Sequence, residues 1–173
     1  GVSSASGHTE IGSATAGAAG SSGSVQFATG RTSKDASGSL SLTSGDSQSA
    51  GVGSVTVLVG ASGSDTGGAT TFVGGSSSAV TGGNVEIMSG KSDSVASGAI
   101  FLKTSDASLV GRSGSIAAMT GLSSKGSGSV TFFTGESSKS KSGNIAVRVG
   151  SSEGSSGGSI NAAAGESSSS TGG

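Results

Sequence analysis

The residues that could do chemistry are few. His8 is the only imidazole in the 173 residues, and Glu10 lies two positions on. A histidine beside a carboxylate can act as a general base. A metal centre needs three or four ligands, and here no second imidazole and no cysteine exists to join them. His8 therefore reads as an ordinary surface residue. Missing cysteine also excludes a disulfide framework, thiolate catalysis and iron–sulfur ligation. Asp35, Asp46, Asp65, Asp93 and Asp106 form no regular calcium-binding register. The 45 serines have no base beside them to activate a hydroxyl. Gly-x-Gly strings at Gly51–Gly53 and Gly126–Gly128 open no helix, so they make no dinucleotide fingerprint. With nine basic and ten acidic residues and only five Phe, the chain offers nucleic acid neither charge nor stacking platform. No apolar run approaches the roughly 20 residues of a spanning helix, so no membrane partner is expected. The expectation is a chain with no catalytic, metal-binding or cofactor-binding residues, and no enzyme.

What must be explained instead is a repeat. Gly, Ser, Ala and Thr make up 115 of the 173 residues, a composition that on its own suggests a disordered linker. The order of those residues argues against that. Units begin at Gly7, Gly23, Gly38, Gly53, Gly68, Gly83, Gly98, Gly114, Gly128, Gly143 and Gly158. The period is 15, with 16-residue units at Gly7 and Gly98 and a 14-residue unit at Gly114 that restores the phase. Numbering places from each opening glycine, place 8 is also glycine in nine of the ten units from Gly23 onward, Ser105 being the exception. Two fixed glycines per unit imply two corners, made by positive φ or by close backbone approach.

Between the corners, places 3 and 5 are apolar and mostly β-branched or aromatic. Val25 with Phe27, Leu40 with Leu42, and Val55 with Val57 set the pattern. Val130 with Phe132 and Ile145 with Val147 repeat it. This period-two alternation is the mark of a strand with one buried face. Place 10 is Ser in eight of the ten units, within a second half rich in Ser and Gly. That half reads as a thinner strand or extended wall. The expected fold is all-β: a parallel β-solenoid of about 11 coils and no helix, with residues 1–173 forming a single array cut from a longer one. Places 3 and 5 would form its two inner ladders. Place 6 would then point outward. Leu58, Val73, Met88, Met119 and Phe133 occupy that place and predict a self-association interface, with Lys103 reaching past it.

Some ice-binding solenoids resemble the chain in period, but their regular Thr-x-Thr ladder is missing. Thr56, Thr71 and Thr131 at place 4 are interrupted by Gln26, Ser41, Glu86, Phe101 and Asn161. In period and composition the whole chain resembles Gly/Ser-rich tandem-repeat proteins of extracellular fibrils and cell-surface coats, including microalgal surfaces and flagellar hairs. The resemblance implies a secreted, filament-forming structural protein whose partner is itself. Asn84, Asn144 and Asn161 lie outside any Asn-x-Ser/Thr sequon, so a glycoprotein of this kind would carry O-linked glycans on Ser and Thr. The alternative is a passive binding module, an ice-binding face or an adhesin stalk.

Overall fold

The computed structural model describes residues 6–108 and 110–167. The chain divides into two units, Gly1–Glu86 and Ile87–Gly173. Within each, the 15-residue period survives as a local rhythm. Places 1 to 8 run straight, with neither bend nor turn. Sharp bends recur at places 11 to 13, over residues 33–35, 48–50, 63–65, 78–80, 93–95, 138–140 and 153–155.

The hydroxyl at place 10 closes six of those seven bends, all but 153–155. Its oxygen accepts the backbone N–H of place 13, so a side chain rather than a carbonyl closes the turn. Val80 N donates to Ser77 Oγ at 3.0 Å and Val95 N to Ser92 Oγ at 3.1 Å. Ala50, Asp65 and Ser140 bond Ser47, Ser62 and Ser137 in the same way, and Asp35 bonds Thr32. The two 16-residue units carry Ala16 and Ala107 at place 10 and lack the hydroxyl. Each substitutes a backbone turn from place 11 to place 14: Gly20 N to Gly17 O at 3.2 Å, and Gly111 N to Ser108 O at 3.0 Å. The inserted residue and the missing hydroxyl thus compensate each other. The 14-residue unit is tightened differently, through Gly126 at place 13, whose φ of 141° only glycine adopts without strain.

After the turn the chain returns to where it left the straight segment. Gly83 N donates to Gly75 O at 2.8 Å, and Gly98 N to Gly90 O at 2.9 Å, so place 1 of one unit is tied to place 8 of the unit before. A methyl on the opening glycine would lie 3.7 Å from Thr29 at Gly38, and 3.5 Å from Thr134 at Gly143. The place-7 neighbour is met in the same way after a 16-residue unit (Gly114 and Thr104, 3.4 Å) and after the 14-residue one (Gly128 and Thr120, 3.5 Å). Length changes are therefore absorbed inside a closed loop.

That closure overturns the all-β expectation. Among the described residues there is no β-strand and no helix, so the described chain is coil and not a β-solenoid. A solenoid stacks place 1 over place 1 of the previous coil. Here place 1 is held beside place 7, and six straight residues separate those positions by about 20 Å. The Ser-rich half, read as a second wall, is the loop that makes this return. The inner ladders are likewise corrected. Val25, Leu40, Val55, Val85, Ile100, Ile116, Val130, Ile145 and Ile160 at place 3 are exposed, and so are Phe27, Leu42, Val57, Phe72, Ile87, Leu102, Phe132 and Val147 at place 5. Two apolar side chains in fifteen residues bury too little surface to offset ordering so much glycine and serine. The chain exposes 17297 Å². A folded protein of its 15.8 kDa mass exposes about 7,300 Å², and an unfolded chain about 23,000 Å².

Candidate self-association surface

Exposure along the straight halves follows the alternation of places even though none of the described residues is buried. Place-3 side chains are 48–69% exposed where they are Val, Leu or Ile, while Leu58, Val73, Met88, Met119 and Phe133 at place 6 reach 81–85%. The first two lie in the Gly1–Glu86 unit and the other three in Ile87–Gly173. Successive side chains of a straight segment point to opposite sides, so place 6 faces away from the side that places 3 and 5 share. Ile11, Phe27, Leu40, Ser41 and Leu42 line an open apolar cleft of about 430 Å³, contributed by three successive repeats. Its apolar members all come from places 3 and 5, and none of the five place-6 residues lines it.

The least exposed large hydrophobics are ones that sequence reasoning passed over. Val59 and Val149, both at place 7, are 45% and 43% exposed. A methyl on Gly68 or Gly158 would come within 2.7 and 2.9 Å of their Cγ1 atoms, so each valine rests against a bare glycine backbone. The signal was present as a β-branched residue nine positions before a unit-opening glycine.

Electrostatics add little to either side. Lys91 and Asp93 form an ion pair at 2.5 Å, but both side chains are more than four-fifths exposed, where such pairs contribute little. A polar cleft of about 420 Å³ lies within the turn loop of Thr134, Gly135, Glu136, Ser137, Ser140 and Ser142. It gathers one carboxylate and several hydroxyls, and no imidazole or thiol. Among the described residues no three His, Asp or Glu side chains converge as metal ligands, and His8 and Glu10 are exposed. No described helix is long and apolar enough to cross a membrane.

No family model matches the chain, and no curated protein or solved structure does so either.

Proposed function

We propose that this chain is a structural protein that assembles with copies of itself, as a component of an extracellular fibril or coat, and that it performs no catalysis. One observation carries the reading: every large apolar side chain among the described residues remains exposed in the single chain. Surface of that extent is stable in water only when something covers it. A net charge of −1 sets almost no repulsion between copies. Leu58, Val73, Met88, Met119 and Phe133 form the outward apolar side in this proposal, because they combine size with high exposure at one place of the repeat. Exposed Ser and Thr in the turn loops supply acceptor positions for O-linked glycans, which would keep the loops wet while the straight halves associate.

The purified chain should form oligomers or fibrils visible by electron microscopy and by sedimentation velocity. Met88→Lys with Phe133→Lys should lower the assembled fraction at least tenfold, through charge repulsion and lost apolar contact. Assembly unchanged in that double variant would remove the place-6 residues from the interface. A wild-type chain that remains monomeric at high concentration would overturn the self-association reading.

A further inference from the structure

We infer that copies join by strand pairing at two segments, 54–59 and 129–134, each laying its backbone against the like segment of a second copy. The inference rests on the self-association reading and specifies its contact. Ser54-Val55-Thr56-Val57-Leu58-Val59 and Ser129-Val130-Thr131-Phe132-Phe133-Thr134 are free of Gly, Pro and charge, and rich in β-branched and aromatic residues. Such six-residue runs are the ones that pair between chains. Other straight halves are weakened by Glu86, Lys103 or Arg148, by Gly74, or by the alanines at 162–164. The remaining uncharged ones are diluted by Gln26 and Ala28, by Ser41 and Ser44, or by Ala117 and Ala118.

The structure adds the backbone. Both segments run straight, and no N–H or C=O group within either bonds another group of the protein. An array of unpaired donors and acceptors beside apolar side chains is a template for one kind of occupant, another extended strand. The copy supplies it at no electrostatic cost, since neither segment carries charge and the whole chain is close to neutral. Each extended segment has two edges, so pairing on one leaves the other open. Growth therefore continues beyond a dimer into a fibril. Each of the two units contributes one such segment.

The test uses the full chain with Val57→Pro and Phe132→Pro, alone and together. Proline removes the N–H of a paired strand and fits only its edges. Neither position donates a bond within the chain and neither lies in a core, so the variants keep the fold they start with. Val57→Thr and Phe132→Tyr serve as controls that keep the N–H and the strand preference. Wild type should form fibrils with the roughly 4.8 Å reflection of paired strands. Each single proline should lengthen the lag severalfold, the pair should abolish the reflection, and the controls should retain it. Fibrils that persist in the double proline variant, or wild-type fibrils without the reflection, would overturn strand pairing while leaving self-association standing. A wild-type chain that never assembles would remove both.

Discussion

At the scale of single residues, the serine of place 10 does the most to set local structure. A hydroxyl three residues upstream of the N–H it accepts fixes a bend that glycine-rich chain would otherwise lose to entropy. Ser77 accepts from Val80 at 3.0 Å and from Ala79 at 3.4 Å. Ser77→Ala removes both bonds and should speed amide exchange at Val80 about fivefold, the effect of losing about 1 kcal/mol of local stability. Exchange at Val95, capped by Ser92 in the next repeat, should not change. Equal acceleration at both would mean that the turns are not independent. Gly74 acts by absence of a side chain: a Cβ there would collide with the Gly83 carbonyl, whose own N–H is bonded to Gly75.

At the scale of the element, the repeat consists of a straight apolar half and a closed loop, and these tolerate change differently. Loops of three lengths bring the opening glycine back to the same place-7 neighbour. One serine inserted between Ala50 and Gly51 follows the bend at 48–50 and keeps the bond from Ala50 N to Ser47. Lengthening a loop by one residue adds little closure entropy. The same insertion between Val55 and Thr56 moves every later side chain of the segment to the opposite side. The loop insertion should leave the assembled fraction unchanged within twofold in sedimentation velocity, and the straight-half insertion should reduce it severalfold. Equal effects would show that the sides of the straight half are not distinguished in assembly.

At the scale of the whole molecule, the absence of buried residues among those described dominates behaviour. Cooperative unfolding requires a core whose contacts are lost together. The monomer at low concentration should thus show a gradual thermal change in far-ultraviolet circular dichroism, with no sigmoidal transition. Assembled material should melt more sharply, because the surfaces that cover one another are released together. A sharp transition in the dilute monomer would reveal a core.

The amino-acid order by itself determined the period and the ranking of exposure between places 3 and 6. The strands and the two glycine corners read from it do not form among the described residues, the bends falling at places 11 to 13. The period and the ranking are local properties, set by side-chain alternation and by glycine and serine spacing over a few residues. It also singled out place 10, though not its role, because a recurrent serine looks the same in a wall as in a turn. The path between units was decided only in three dimensions. Alternation states which side of a segment is apolar and leaves open what lies against it, since a coil above, a hairpin beside and a second copy all satisfy the same pattern. The Gly75–Gly83 and Gly90–Gly98 bonds choose the closed loop, returning the chain to the end of each straight half. Once that return is made, the apolar side chains have no coil to stack on, and their exposure follows from the geometry.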